Sequence, residues 1–421
     1  MRSKFLYVAA ATLISTGAFF SSCSSDDDPM PPGNAVITIE NVTTMKDFVQ
    51  SGTFQMQRAD QPVILPGEAV TIKFHAARGQ ALMFATMYGY SNDVFFAPEN
   101  PGIQLFNSDG NAITGNVSDK VKLWDNGTRI NQTPGPNVNH PGTAEAGNIT
   151  MIDTRDPQNN EYRPAAELMN LTLAYTAATS EFTLTIRNTS GGTINETPFS
   201  PGVWVVSNKL GDNLVNDKPF FTPGSKSNDA LTAIAEMGNN APLSTWVTER
   251  TGIITGLSPI VVAVYTGNTN PIYTLNQRDA GRGLKELAQK GDPATLRASL
   301  EGMSNVRRVY VVGTSALAPG EKAESTFEAR EGDNITYATM FGYSNDWFYA
   351  NSEIMSSTTK GDVTGRTTLL DSGTGVSQYP GAGNNQALFG GTPIAENNPI
   401  SVVTDTYPVP AVNRMIKVTL R

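Results

Sequence analysis

The feature that most constrains the fold of this chain is an internal repeat. Residues 83–97 read MFATMYGYSNDVFFA, and residues 336–350 read TYATMFGYSNDWFYA. The match extends backward without a gap, and 16 of the 32 positions from 66 to 97 are identical to those from 319 to 350. Such a long repeat indicates two copies of one domain, so the fold of the chain has to be formed twice.

The pattern between the turns is that of antiparallel β-structure. Polar and apolar residues alternate at 36–39, 54–57 and 70–74, and Pro-Gly at 66–67 marks a turn. The chain has 421 residues, 38 of them Gly and 26 Pro, and charged residues make up only 16%. Many short strands joined by Gly, Pro and Asn turns produce this composition. We therefore predict a mainly β protein built from tandem antiparallel β-sandwich domains.

A second, shorter repeat predicts helical hairpins. Residues 231–247 align without gaps onto residues 284–300, with apolar residues at i, i+3 and i+4. Gly291 is placed to end one helix, and Pro293 to begin the next. Each hairpin follows a Ser-Pro strand, which indicates that a strand and two short helices were duplicated together.

These repeats divide the chain into five predicted segments. Residues 1–22 are a lipoprotein signal peptide, and 23–33 are an acidic tether. Residues 34–190 form the first sandwich, and 258–421 form the second. The segment between them is either the carboxyl-terminal part of the first domain or an additional half-module, and we assign 191–257 as a half-module of one strand and a helical hairpin.

The amino terminus predicts a lipid anchor. A short basic start precedes an apolar run that ends at Phe20. This run is shorter than a membrane-spanning helix requires. Small residues then precede Cys23, the only cysteine of the chain, and an acidic stretch follows it. This order resembles a bacterial lipoprotein signal, whose cysteine is acylated after cleavage; the alternative is an ordinary secretory signal with an incidental cysteine. We expect a lipid-anchored protein of the bacterial outer membrane, exposed at the cell surface.

Charge and residue types limit the function. The formal net charge of −9 argues against a nucleic-acid partner. The chain has two histidines, His75 and His140, and neither has a counterpart in the other copy. Catalysis by a histidine-based site in both copies is therefore not expected, and we predict that the chain is not an enzyme. A glycoside hydrolase that uses two carboxylates is the one enzymatic alternative left open.

The order of motifs resembles the spondin amino-terminal domain family. In the second copy the resemblance rests on a Ser-Pro strand, a helical pair, an Ala-Pro-Gly-Glu turn, the Ala-Thr-Met segment and a Leu-x-Asp-x-Gly-Thr segment, at 258–259, 284–300, 318–321, 338–348 and 369–374. In the first copy it rests on 85–95 and 123–128. The resemblance implies an eight-stranded antiparallel β-sandwich similar to C2 domains, found in extracellular matrix and secreted bacterial proteins.

The same resemblance implies a calcium site made by three aspartates. The first maps to Asp93 and Asp346, and the second to Asp125 and Asp371. The third maps to Arg129 and Gly375, neither of which supplies a carboxylate. Calcium prefers about six to eight oxygen ligands, so the loss of one carboxylate weakens a site. Calcium is the one candidate cofactor, and the second copy is the better candidate site because it lacks the arginine.

A structural role for these aspartates is the alternative. Asp-x-Gly-Thr, at 125–128 and 371–374, is also a turn signature in which the aspartate accepts backbone N–H bonds. Ser-Asn-Asp at 91–93 and 344–346 could likewise end the preceding strand. Among the nearby aromatic residues, Trp347 is the best candidate for an exposed anchor.

The predicted function is binding. We expect a non-catalytic surface lipoprotein that adheres to an extracellular matrix protein, assisted by calcium. Recognition of a glycan or of an outer-membrane partner is the second hypothesis, and the carboxylate-based glycoside hydrolase is the third.

Overall fold

The computed structural model describes residues 34–58, 60–404 and 406–421. The signal peptide, Cys23 and the acidic tether lie outside these residues. Up to the middle of the chain the strands are β1 (Asn34–Asn41), β2 (Phe48–Phe54), β3 (Ala69–His75), β4 (Ala81–Met87), β5 (Val94–Pro98), β6 (Ile103–Gln104), β7 (Gly115–Asn116), β8 (Val121–Asp125), β9 (Thr150–Ile152), β10 (Met169–Thr176), β11 (Glu181–Asn188), β12 (Gly202–Ser207), β13 (Lys209–Leu210) and β14 (Asn213–Leu214).

The later strands are β15 (Ile260–Tyr265), β16 (Val306–Val312), β17 (Lys322–Glu328), β18 (Asn334–Met340), β19 (Trp347–Asn351), β20 (Met355–Ser356), β21 (Gly361–Asp362), β22 (Thr367–Asp371), β23 (Ser401–Val402) and β24 (Ile416–Leu420). The α-helices are α1 (Ala165–Leu168), α2 (Asp229–Met237), α3 (Ala241–Glu249), α4 (Leu284–Lys290) and α5 (Ala294–Glu301). Single turns of 3-10 helix lie at Ser118–Lys120, Thr364–Arg366, Ala387–Phe389 and Val412–Arg414. The mainly β fold class is therefore confirmed.

The first sandwich consists of two sheets and a helix layer. One sheet has the strand order β3-β11-β10-β7, and the other has the order β2-β12-β4-β5-β8-β9, with β6 beside β4. Side chains such as Phe74, Leu184 and Phe84 fill the space between the two sheets. On the opposite face of the second sheet, Met83 and Val205 pack against apolar residues of α2 and α3. Strand β4 is buried on both faces, which explains its continuously apolar sequence.

The second sandwich has the same three layers, but it takes its first strand from the start of the described chain. Its sheets have the orders β17-β1-β24-β21 and β16-β15-β18-β19-β22-β23, with β20 beside β18. Strand β1 pairs with β17 on one side and with β24 on the other. Residues 34–41, which the sequence analysis places in the first sandwich, therefore belong to the second.

The segment expected to be a separate half-module completes the first sandwich. Strand β12 lies between β2 and β4, as β15 lies between β16 and β18. Strand β11 lies between β3 and β10, as β1 lies between β17 and β24. In chain order, β12, α2 and α3 come last in the first sandwich, whereas β15, α4 and α5 precede β16 in the second. The first sandwich is thus a circular permutation of the second, inserted between β1 and β15.

The two sandwiches meet through polar contacts around Gly381. The buried Gln80 donates from Nε2 to the carbonyl of Gly381, at 2.9 Å. In return, Gln378 donates from Nε2 to the carbonyl of Ala178, at 3.0 Å. His75, predicted to point off a strand face, is half-buried here with its ring stacked on Tyr379. Within the described ranges, no helix has the length and apolar character of a membrane span.

Candidate metal centre

Antiparallel pairing brings the two predicted aspartates of the second copy together. Asp371 ends β22, and the register places it opposite Trp347, the first residue of β19. Asp346 immediately precedes Trp347, in the turn that follows β18. Both carboxylates therefore lie at the same end of one sheet, where β18, β19 and β22 meet their loops.

Asp346 is fully buried, and only one of its oxygens is used by the protein. Its Oδ2 accepts hydrogen bonds from the backbone N–H groups of Thr374 and Gly375, at 2.7 and 3.0 Å. The hydroxyls of Ser372 and Thr374 also donate to Oδ2, at 2.7 and 3.2 Å. Its Oδ1 is buried and accepts no hydrogen bond. Because a buried oxygen without a partner is unfavourable, this atom has the character of a free ligand.

Asp371 forms the turn that its sequence motif predicts. Its Oδ1 accepts from the backbone N–H of Gly373, at 2.7 Å, and Gly373 adopts a φ of +68°. Its Oδ2 accepts from the indole Nε1 of Trp347, at 3.0 Å, and from the hydroxyl of Ser377, at 3.1 Å. Trp347 is only 3% exposed. The prediction that Trp347 is an exposed anchor is therefore wrong, because its indole is used to hold Asp371.

A third carboxylate, which the sequence analysis missed, completes the cluster. Gly375 pairs with Ala395 in an isolated β-bridge, and Glu396 follows Ala395. One carboxylate oxygen from each of Asp346, Asp371 and Glu396 lies within 4.8 Å of the other two. The resemblance implies a third aspartate at the position of Gly375. Glu396 thus lies on the segment that pairs with that position. The sequence signal was an Ala-Glu dipeptide that both copies contain, at 144–145 and 395–396.

The electrostatics of the cluster favour the arrival of a cation. Burial, and then the nearby charge of Asp371, raise the pKa of Asp346 to about 7. The same two causes raise the pKa of Glu396. Carboxylates that repel one another in a desolvated place are stabilised in their charged form by a positive ion. Three hard oxygen donors suit calcium, with water left to complete the coordination.

The first copy repeats the hydrogen bonds of the two aspartates, but among the described residues only the three carboxylates of the second copy come within 4.8 Å of one another. Oδ2 of Asp93 accepts from the backbone N–H groups of Thr128 and Arg129, both at 2.8 Å, and its Oδ1 is buried without a partner. Oδ1 of Asp125 accepts from the N–H of Gly127, at 2.8 Å. Burial raises the pKa of Asp93 to about 6 and that of Asp125 to about 7. The half-buried Glu145 corresponds to Glu396. Each of these glutamates follows a residue that forms an isolated β-bridge.

One difference between the copies is Arg129, which has its own partner. The guanidinium of Arg129 forms an ion pair with Glu236 of α2, at 2.9 Å. In the second copy Gly375 replaces the arginine and Gln289 of α4 replaces the glutamate. Gln289 donates instead to the carbonyl and hydroxyl of Thr374, both at 3.0 Å. The arginine and glutamate of the first copy are thus replaced as a pair by glycine and glutamine in the second. The second copy therefore has no positive side chain at this position.

The asparagines beside the first aspartates hold loops. Oδ1 of Asn92 accepts from the N–H of Gln132, and Oδ1 of Asn345 accepts from the N–H of Gln378, both at 2.8 Å. Their amide oxygens are therefore already engaged.

Comparisons with known proteins add no evidence to that of the motifs. No protein-family model matches the chain, and no curated protein sequence matches it either. The resemblance to spondin amino-terminal domains rests on the motifs described above and stays a prediction.

Proposed function

We propose that this chain is a non-catalytic binding protein of the bacterial cell surface, in which one calcium ion holds the loops at one end of the second sandwich. Cys23 anchors it through lipid, and its partner is an extracellular matrix protein. The carboxylate cluster of Asp346, Asp371 and Glu396 carries the proposal.

The free oxygen of Asp346 supports calcium over a purely structural role when it is taken together with Glu396, since Asp93 of the first copy also buries its Oδ1 without a partner. A turn needs only the oxygen that accepts backbone N–H bonds, which is Oδ2. It gives no reason to bury Oδ1 without a partner, or to bring Glu396 across from another loop. A cation bound by these groups would satisfy Oδ1 and join the 371–375 turn to the 395–396 segment.

The surface beside the cluster supports a binding role. Strands β9 and β23 each lie at one edge of the two larger sheets. Met151 on β9 and Val402 on β23 occupy equivalent positions in the register, opposite Trp124 and Leu370. They are 51% and 48% exposed. Apolar side chains presented at equivalent edge positions, close to polar loops, are suited to contact with a protein partner.

The third hypothesis, a glycoside hydrolase, gains nothing from Asp346. Asp346 is completely buried, and its Oδ2 accepts four hydrogen bonds. A general acid has to reach the glycosidic oxygen of its substrate, which this carboxylate does not do.

An array of matrix proteins and glycans, probed in calcium and in chelator, tests the function. We expect the full chain to bind a matrix protein in calcium and to lose that binding in chelator. Asp371→Asn should lose it in both conditions, whereas Asp125→Asn, the matched change in the first copy, should keep it. Binding that is equal in calcium and chelator, or an array with no bound protein or glycan, would contradict the proposal.

A further inference from the structure

A polar pocket lies at one corner of the second sandwich, away from the carboxylate cluster. It has a volume of about 510 Å³ and is lined chiefly by charged and polar side chains: Asn34, Arg307, Arg308, Glu328, Arg330 and Asp333. These residues come from the start of β1, from β16, and from the end of β17 with the turn that follows it. A cavity of this size can enclose a small ligand.

One buried carboxylate fixes the arrangement of the arginines. The side chain of Asp333 is 1% exposed, and its Oδ1 accepts from Nε of Arg307, at 2.6 Å. Its Oδ2 accepts from the backbone N–H of Arg330, at 2.9 Å. Among the residues that the structure describes, the side chains of Arg308 and Arg330 form no ion pair within 4.0 Å. Within the described part of the chain, two of the three guanidinium groups thus have no acidic partner, and the third is held by Asp333.

The sandwich fold does not require these arginines. Arg308 pairs with Val264 of β15, and at the equivalent place in the first sandwich Gln50 pairs with Val206 of β12. The repeat alignment places Ala77 at the position of Arg330. The first sandwich thus forms the same corner without the basic side chains.

The corner of the first sandwich is also covered, whereas that of the second is open. Gln80, which corresponds to Asp333, is fully buried and donates to Gly381 of the second sandwich. In the second sandwich Arg307, Arg308 and Arg330 are exposed. Three arginines in one open pocket contrast with the net charge of −9, and need a reason other than packing.

The chemistry of the pocket defines the ligand. Guanidinium groups bind carboxylate and phosphate through charge-assisted hydrogen bonds, and free ones retain their donors for a ligand. Glu328, on the rim, is exposed and suited to accept hydrogen bonds from hydroxyl groups, and Asn34 can donate or accept. A concave pocket with a rim carboxylate does not fit a flat anionic membrane. We propose that this pocket binds an acidic sugar, that is, a sugar acid or a sugar phosphate.

Titration calorimetry on the full chain tests this site. The experiment is done in chelator, so that its outcome is separate from that of the calcium proposal. Glucuronate or glucose 6-phosphate should bind, and neutral glucose should not. The double variant Arg308→Gln, Arg330→Ala, which takes the residues of the first sandwich, should weaken binding at least about tenfold, because charge-assisted hydrogen bonds are lost.

The control is Arg187→Gln, which removes one exposed arginine from β11 of the first sandwich and should leave the affinity unchanged. Because Arg308 and Arg330 are exposed, the double variant should keep the wild-type unfolding temperature, so a loss of affinity is not a loss of fold. The proposal is overturned if neither acidic sugar binds, or if the double variant binds as tightly as the wild type. Equal affinity for inorganic phosphate and glucose 6-phosphate would also overturn it, since the pocket would then recognise an anion without the sugar.

Discussion

At the residue scale, Asp93 and Asp346 each divide their two oxygens between separate tasks. Oδ2 holds the following turn through backbone N–H groups, and Oδ1 is buried without a hydrogen-bond partner. Asp125 and Asp371 accept the backbone N–H bonds that the Asp-x-Gly-Thr turn predicts, and these bonds do not exclude a cation. The copies differ in the residue that follows the turn, Arg129 in one and Gly375 in the other, and the three carboxylates come within 4.8 Å of one another in the second copy.

The first prediction removes the positive charge beside the aspartates of the first copy. Arg129→Gly combined with Glu236→Gln should create a second calcium site, because Asp93, Asp125 and Glu145 then lack a neighbouring positive charge. Titration calorimetry should count about one more calcium ion per chain than in the wild type. Glu236→Gln alone is the control, since it keeps the arginine and should add no site. A double variant with the stoichiometry of the wild type would show that the arginine is not what separates the copies.

The second prediction concerns His75 and acid. Burial lowers the pKa of His75 from its ordinary value of 6.5, while the charge of Glu181 opposes this effect. As pH falls through 6.5, the unfolded chain therefore binds more protons than the folded chain, and folding stability decreases. The unfolding temperature should fall less between pH 7.5 and 5.5 in His75→Gln than in the wild type. His140→Gln, in an exposed loop, should behave like the wild type; identical pH profiles for all three would contradict the prediction.

Sequence reasoning located four of the site residues and missed two. Asp93, Asp125, Asp346 and Asp371 stand in repeated motifs whose spacing fixes their place at strand ends. Glu145 and Glu396 lie beyond loops of unequal length, so the gapless alignment does not reach them. The prediction that Trp347 is exposed was wrong because alternation along a strand does not distinguish a side chain that faces solvent from one that contacts a neighbouring carboxylate.

At the element scale, β1 shows the limit of local patterns. Its alternation correctly predicts a strand, but its partners β17 and β24 lie near the far end of the chain. Alternation specifies which face of a strand is buried and carries no information about which sheet it joins. The helical hairpins were predictable because their periodicity and stop signals are local, whereas their attachment to the first sandwich was not.

The third prediction tests the placement of β1. Thr38 in β1 and Thr185 in β11 occupy equivalent central positions, opposite Glu324 and Thr71. Thr38→Pro should remove hydrogen-exchange protection from β17 and β24, and Thr185→Pro should remove it from β3 and β10, because proline cannot donate to the sheet. Each should cost at least about 1–3 kcal/mol of stability. Loss of protection in the first sandwich on Thr38→Pro would contradict the strand assignment.

At the scale of the whole molecule, the first and last described strands lie in the same sandwich. Strand β1 pairs with β24, and the backbone N–H of Arg421 donates to the carbonyl of Val36, at 2.9 Å. The residues that form the first sandwich lie between β1 and β15 in the sequence. A fragment of residues 258–421 would lack the strand that joins β17 to β24, so any measurement on the second sandwich requires the amino-terminal strand.

The same organisation separates the surfaces of the molecule. The corner that is covered in the first sandwich is open in the second, and it carries the arginine pocket. The carboxylate cluster of the second sandwich lies in loops at one end of its larger sheet, beside the edge strand β23. Calcium binding and acidic-sugar binding are therefore proposed for different surfaces, and each can be tested without the other.

The most direct test of the central claim is the unfolding temperature of the full chain in millimolar calcium and in chelator. An ion that binds only the folded state stabilises it by about 2.7 kcal/mol when its free concentration is about 100 times Kd. The account predicts a higher unfolding temperature in calcium for the wild type and for Asp125→Asn. It predicts no such rise for Asp371→Asn, whose amide oxygen can still accept the Gly373 turn bond. A wild-type chain that unfolds at the same temperature in calcium and in chelator would contradict the account and leave these aspartates with the turn alone.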